Sequence, residues 1–215
     1  MAGQNERRPA GGLYIGMART RARDFEEKQL AILECAATVF SDQGMEKASM
    51  AQIARQANVS KALLYHYYPS KDALIFGIVH THLIDLEEAV VAADIESETA
   101  EARLRAMIWA VLEHYQGADN KHTVQINGTQ NLNEEQKEAL RVVERRIVRR
   151  FANVLKLINP ALENPDKPVV MPVTMSLFGM MNWVYHWFRE GGPITREAYA
   201  ELAGTLILSG VRSLK

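Results

Sequence analysis

Between Ser49 and Lys71 the chain collects hydroxyl, ammonium and imidazole groups at short intervals: Ser60, Lys61, Tyr65, His66, Tyr67, Ser70 and Lys71. Side chains of these types donate hydrogen bonds to phosphate oxygens and to the edges of bases. The punctuation around them is equally dense. Ser49-Met50-Ala51-Gln52 has a capping-box pattern that starts a helix, and Ile53, Ala54 and Ala57 give that helix one apolar stripe. Asn58 stands where a left-handed residue lets the chain turn. Ser60 then caps a second helix, with Ser60, Lys61 and the small Ala62 at its exposed start and Tyr65, His66 and Tyr67 as donors further along. Tyr68 is the exception in the aromatic run and is expected to pack inward. Ser70 and Lys71 open the next helix, whose free N–H groups and partial positive charge, together with Lys71, give a further place to hold a phosphate.

The elements that must position these groups are helical. Val59, with Leu63 or Leu64, closes a small core against Phe40 of the preceding helix, so two short helices, a tight turn and a supporting helix make a helix-turn-helix. A short exposed helix of this kind fits a major groove about 12 Å wide. From about residue 25 onward apolar residues recur at helical spacing: Leu33, Ala36, Ala37 and Phe40, then Leu74, Ile78, Leu83, Leu86 and Val90. A third run, Leu140, Val143, Ile147, Phe151, Val154 and Ile158, stops before Pro160. Two more helices are expected at roughly 172–190 and 195–214, separated by Gly191-Gly192-Pro193. Nothing reads as a strand, and the expected fold class is all-α: an N-terminal three-helix helix-turn-helix domain joined to a larger helical domain. Residues 1–25, with Arg7, Arg8, Arg19, Arg21 and Arg23, are expected to form a flexible basic arm, and Met17 is an alternative start. Residues 26–86 form the first domain, with the helix-turn-helix at about 49–68, and residues 87–215 the second.

Composition narrows the classes. The 215 residues are 47% hydrophobic and 24% charged, which suits a globular chain with a sizeable core. The formal net charge of -1 leaves no global excess to attract a polyanion, so a nucleic-acid site must be local. Residues 1–71 hold 10 Lys/Arg against 7 Asp/Glu, whereas residues 72–215 hold 15 against 19, so the basic end is the N-terminal one. The single cysteine, Cys35, falls in an apolar helical pattern and reads as a small buried hydrophobe in a reducing cytoplasm. No run approaches a membrane span, and no signal peptide is visible. A cytoplasmic location with no membrane partner is expected.

The residues Ile32, Ala36, Ala37, Phe40, Gly44, Met50, Ile53, Ala54, Ala57, Val59, Ser60, Lys61, Leu64, Tyr65, Tyr68, Pro69, Ser70, Lys71 and Leu74 stand in a spacing that resembles the tetracycline-repressor (TetR) family of bacterial transcriptional regulators. The resemblance covers roughly residues 26–86. Asn58 and Ala62 replace the commoner Gly, and Met45 the commoner aromatic residue; Ala62 bears on which bases are read. The resemblance implies that Tyr65, Tyr67 and Lys71 hold backbone phosphates and that Ser49, Lys61, Ala62 and His66 lie near DNA. It further implies a homodimer on a pseudo-palindromic operator, a repressor released by a small hydrophobic or acyl-type effector, with a ligand-dependent activator or co-repressed regulator as the alternative.

One helix-turn-helix covers little DNA, so two copies reading successive grooves are expected. Leu177, Val184, Trp187 and Phe188, with Leu202, Leu206 and Val211, offer apolar stripes for a four-helix dimer interface, and Gly204 and Gly210 permit close helix approach. The alternative is that these stripes complete the core of one chain. Met107, Trp109, Val111 and Tyr115 on one helix, and Met175, Phe178, Met181, Asn182 and His186 on another, combine adaptable apolar bulk with polar groups and are the candidate effector pocket; plain core is again the alternative. Arg141, Arg145 and Arg149 share one helix face, which either pairs with Glu138 and Glu144 or binds a phosphorylated ligand such as an acyl-coenzyme A. His80 and His82 point to different faces and do not suit a metal. With no phosphate loop, strand-borne carboxylate pair or nucleophile elbow, neither catalysis nor a cofactor is expected, and a helical enzyme is the competing class.

Overall fold

A computed structural model describes the backbone of residues 12–215 and the side chains of residues 25–215. Arg7 and Arg8 of the expected arm lie outside the described residues, and of Arg19, Arg21 and Arg23 only the backbone, within α1, is described. The helices are α1 (Gly12–Gln43), α2 (Met50–Gln56), α3 (Lys61–Tyr67), α4 (Lys71–Ala93), α5 (Ala100–His114), α6 (Asp119–Gly128), α7 (Glu134–Ile158), α8 (Val170–Asn182), the single turn α9 (Val184–Trp187) and α10 (Arg196–Ser213). No strand occurs among the described residues. Helix α1 begins inside the stretch expected to be an arm; Met17 to Asp24 consists largely of Met, Ala and Arg, which favour helix.

The chain divides into two compact units, Met1–Leu74 and Ile75–Lys215, and the division falls within α4. The first unit buries Ile32, Ala36, Ala37 and Phe40 of α1 with Ile53 and Ala54 of α2, Leu64 of α3 and Leu74 of α4. In the second unit α5 lies against α7 and α10, and α7 against α8. Leu104, Met107, Ile108, Val111 and Leu112 fill the centre from α5, facing Leu140, Val143, Ile147, Phe151 and Val154 of α7. Helix α7 starts in a full capping box: Gln136 N donates to Asn133 Oδ1 at 2.8 Å and Asn133 N to Gln136 Oε1 at 3.2 Å. It ends at Asn159, whose Nδ2 donates to the carbonyls of Val211 and Leu214 at 2.7 and 3.0 Å, closing the end of α10.

The helix expected over 172–190 is broken. Asn182 ends α8 because its carbonyl faces His122 Nε2 at 3.2 Å while its side-chain oxygen accepts from the Tyr115 hydroxyl at 2.9 Å. The backbone N–H of His186 turns instead to Trp183 O at 3.1 Å, and only the turn α9 follows. Cys35 is half-buried, its thiol 3.9 Å from Ile53 O, with burial pushing its pKa up.

Candidate nucleic-acid interface and ligand cavity

The helix-turn-helix is assembled by local bonds that the side chains dictate. Ser49 Oγ accepts from Gln52 N at 3.3 Å and starts α2; Ser60 Oγ accepts from Leu63 N at 3.1 Å and starts α3. Between them Asn58 adopts φ 53, the left-handed turn expected of it, and Val59 N bonds back to Ala54 O at 2.9 Å. Leu64 alone is buried on α3, which leaves Ser60, Lys61, Ala62, Tyr65 and His66 exposed on one short helix. Tyr67 is half-buried with its ring 4.7 Å from that of Phe25, and Tyr68 is half-buried, its hydroxyl pKa raised by burial and by Tyr67.

Lys71 departs from the role of a free cation. Its ammonium donates to Met45 O at 2.8 Å and Glu46 O at 3.3 Å, tying the loop after α1 to the start of α4, while Ser70 Oγ caps that start through Ala73 N at 3.1 Å. One N–H of Lys71 is left for a phosphate. Lys71→Ala is therefore expected to cost the first unit about 1–2 kcal/mol, because two loop carbonyls lose a charged donor. Urea unfolding monitored in that unit checks this; an unchanged midpoint would show the bonds to be idle.

In the second unit a cavity of about 230 Å³ has an apolar wall of Leu83, Leu86, Ile147, Val148, Met175 and Phe178. Its polar end is formed by Tyr115, Gln125, Glu144 and Asn182. Of the residues expected to line a pocket, the structure brings Tyr115, Met175, Phe178 and Asn182 together. Met107 and Val111 are instead buried in the core away from the lining, because α5 lies in the centre of the unit and is covered on both sides, and Met181 of α8 is fully buried outside the lining as well. Trp109 is half-buried elsewhere, and His186 is exposed with its ring against Trp183 and Tyr185. Gln125 and Glu144 were missed: polar positions in amphipathic helices read as solvated until the neighbouring helices are placed.

Three histidines lie behind the polar end. His82 Nδ1 is 3.2 Å from His114 Nε2, and the His122 ring lies tilted against that of Tyr115 with centroids 4.5 Å apart. Burial, aided by the neighbouring His114, pushes the pKa of His82 down to about 3, and burial also lowers those of His114 and His122, so the cluster is neutral near pH 7. His80 stacks on Phe76 and takes no part.

The arginines of α7 are largely paired. Arg141 and Arg145 meet Glu138, Arg146 meets Glu87, and Arg150 Nη1 lies 2.7 Å from Asp94 Oδ2. Glu144 takes no ion pair among the described residues, contrary to the expected pairing, because it faces the cavity rather than the arginine side of α7. A second cavity, of about 370 Å³, is lined by Arg103, Arg146, Arg149 and Arg150 together with Glu87, Asp94 and Glu96. Burial pushes the Asp94 carboxyl up, but bonds from Arg103 and Arg150 outweigh it and hold the pKa below the usual range. A depressed carboxylate stabilises the fold above its unfolded pKa and loses that contribution as pH falls through its folded value. Asp94→Ala is expected to cost about 2 kcal/mol near pH 7, discounted because Arg150 reaches solvent, and to cost progressively less below about pH 4. Thermal unfolding at both pH values checks the sign.

The stripes assigned to dimerisation divide sharply. Leu177, Val184 and Val211 are at most 2% exposed and pack within the chain's own core, so they present no surface to a second copy. Phe188 is half-buried beneath the Arg196 guanidinium, 4.6 Å from its ring centre. Gly204 serves a contact within the chain, since a Cβ there would meet Arg105 at 3.1 Å. Trp187, Leu202 and Leu206 remain exposed, joined by Met171, Met175 and Trp183. On α10 the exposed face continues through Gly210, where a Cβ would meet nothing.

Residues 97–211 match the family model described as tetracyclin repressor-like, C-terminal domain, and residues 32–78 match that of bacterial regulatory proteins, tetR family. A TetR-family transcriptional regulator from Bordetella parapertussis gives a TM-score of 0.77 at 30% identity, covering 87% of this chain and 97% of its own. AibR, crystallised in complex with isovaleryl coenzyme A and operator DNA, gives 0.72 at 27% identity, covering 84% and 98%. The HTH-type transcriptional activator FasR of Mycolicibacterium smegmatis is 34% identical over 110 residues, 51% of this chain and 48% of that protein. The chain thus spans about half the length of this curated relative.

Proposed function

Because the chain belongs to the TetR family of bacterial regulatory proteins, we propose that it is a sequence-specific DNA-binding regulator that acts as a homodimer and answers to a small effector held in the cavity of its second unit. The observation that carries this reading is α3, a helix with one buried residue and four exposed polar or small ones, Lys61, Ala62, Tyr65 and His66, preceded by the exposed cap Ser60. Lys61 and Ala62, at its start, are the base-reading positions, while Tyr65, His66, Tyr67 and the remaining N–H of Lys71 hold phosphates. Ser49 and Ser60 spend their lone pairs on capping and keep a hydroxyl proton for DNA. Residues 26–86 carry the DNA contacts, and residues 87–215 most of the effector and dimer contacts, with Leu83 and Leu86 of α4 reaching the cavity as well.

Repression follows from covering a promoter. Effector binding favours a dimer whose two α3 helices no longer match successive grooves, about 34 Å apart, and the operator is released. Helix α4 contributes residues to both units and is the covalent route for that change. Ligand-dependent activation is the second reading, favoured by the naming of FasR as an activator. The relatives are named as regulators rather than enzymes, and no described helix is long and apolar enough to cross a membrane. A bacterial cytoplasm is the setting this reading requires.

Selection of DNA from a random pool by the purified protein, followed by titration of the winner at several salt concentrations, tests the reading. An inverted repeat with half-sites one turn apart, bound with a steep salt slope, is the expected result. No enrichment at low salt, with or without cell extract metabolites, overturns it.

A further inference from the structure

The cavity has one electrostatic character along its polar end. Glu144 projects a carboxyl with no ion pair among the described residues, and the Gln125 amide reaches toward both Glu144 and His122. Nevertheless the Gln125 carbonyl oxygen and His122 Nδ1 meet no partner at hydrogen-bonding geometry. The Tyr115 hydroxyl already donates its hydrogen bond to Asn182 Oδ1, so its oxygen is left as an acceptor. The polar end therefore presents the oxygens of Glu144, Gln125 and Tyr115 as acceptors beside the amide N–H groups of Gln125 and Asn182, and a buried acceptor such as the Gln125 oxygen, left without a donor, costs about 1–3 kcal/mol.

Among the described residues no lysine or arginine lines this cavity. The neighbouring histidines bring no charge, since burial keeps them neutral. A carboxylate or a phosphate entering here would meet an acidic side chain and no cation in the cavity lining to pair with. The arginines that suit phosphates line the other cavity and are mostly taken by Glu87 and Asp94.

We propose that the effector of this cavity is an amine: a small molecule with an apolar body against Leu83, Ile147 and Phe178 and an ammonium group that donates to Glu144 and to the Gln125 carbonyl. This rests on the reading of the cavity as the effector site. It names the head group by its chemistry and sets free acids apart as poor occupants. Burial raises the pKa of the Glu144 carboxyl, so an ammonium must find or create the carboxylate form. Of the charged or titratable groups around it, Arg141 and Arg145 on its own helix favour that form. Tyr115 on α5, itself pushed up by burial, and His82 and His122 on α4 and α6 are uncharged near pH 7. Amine affinity consequently falls on acidification, while that of a neutral analogue stays flat.

The test uses three probes with one body: 4-phenylbutylamine, 4-phenylbutanol and 4-phenylbutyrate, titrated into the full chain without DNA by calorimetry at pH 5.5 and 7.5. The amine is expected to bind about tenfold more tightly than the alcohol and about a hundredfold more tightly than the acid at pH 7.5. E144Q is expected to bring amine and alcohol within about threefold of each other and to remove the pH dependence, and Q125L to weaken the amine about tenfold while sparing the alcohol. An acid that binds as well as the amine, or an amine preference that survives E144Q, overturns the head-group assignment and leaves the effector cavity standing. Failure of all three probes to bind overturns the assignment of the cavity to such ligands. Because no DNA is present, each result is separate from the operator-selection experiment that tests the regulatory reading.

Discussion

Replacing Lys61 and Tyr65 together by alanine is expected to abolish specific operator binding while leaving the protein folded. Both side chains are exposed on α3, and neither makes a bond that the fold needs. Each contact to a base or phosphate contributes about 1–3 kcal/mol, and a homodimer loses every contact twice. The double variant should therefore bind at least about a hundredfold more weakly. The single variants separate the roles. Tyr65→Phe removes a neutral phosphate donor, so it should weaken all sequences alike and leave the salt slope intact. Lys61→Ala removes one cation per subunit, which should flatten the salt slope by about two for the dimer and relax base preference at the position it faces. Titration of selected and scrambled DNA over a salt series checks both. Retained affinity with an unchanged slope would place the DNA contacts outside α3.

Glutamates at Leu202 and Leu206 are expected to give a folded monomer. The two leucines lie one turn apart on the outer face of α10, 46% and 55% exposed, and α10 packs against α8, which presents Met171 and Met175, with Trp183 exposed just after its end. In a dimer this face is covered by its own copy, and two buried carboxylates per subunit would oppose one another across the symmetry axis. Mass measured by light scattering at micromolar concentration should halve, and operator affinity should fall at least about a hundredfold because one half-site no longer holds the other in place. Leu177→Ala is the contrasting control. That side chain is fully buried within the chain, so truncation should cost about 2–5 kcal/mol of stability without changing the mass. A double glutamate variant that remains dimeric would move the interface off α10.

Much of the first unit was legible because its determinants are local. Ser49, Asn58 and Ser60 each act on backbone groups within a few residues, and a cap or a left-handed turn needs no distant partner to be recognised. The apolar positions Phe40, Ile53 and Leu64 are buried as their spacing required. Lys71 was the exception. Its partners are the carbonyls of Met45 and Glu46, more than twenty residues away, and no local pattern announces a lysine that closes a loop.

In the second unit helical periodicity correctly placed α7, whose apolar face and terminal Pro160 are written in the chain, but it failed within α8. The interruption after Asn182 arises because Tyr115 and His122 draw on its side chain and carbonyl from two other helices. Periodicity also could not divide one apolar stripe between core and surface. Leu177 and Leu206 have similar hydrophobicity and similar spacing, yet one is buried and the other exposed. The amino-acid sequence by itself determined the helical class, the caps and turn of the helix-turn-helix and the family, since caps, turn residues and periodic stripes act over a few bonds. Only the tertiary structure decided which polar groups meet in the cavity, that Glu144 is not paired with arginine, and which apolar face is left for a partner. Those outcomes depend on how helices distant in the chain are packed against one another, and side-chain spacing along a single helix does not encode that arrangement.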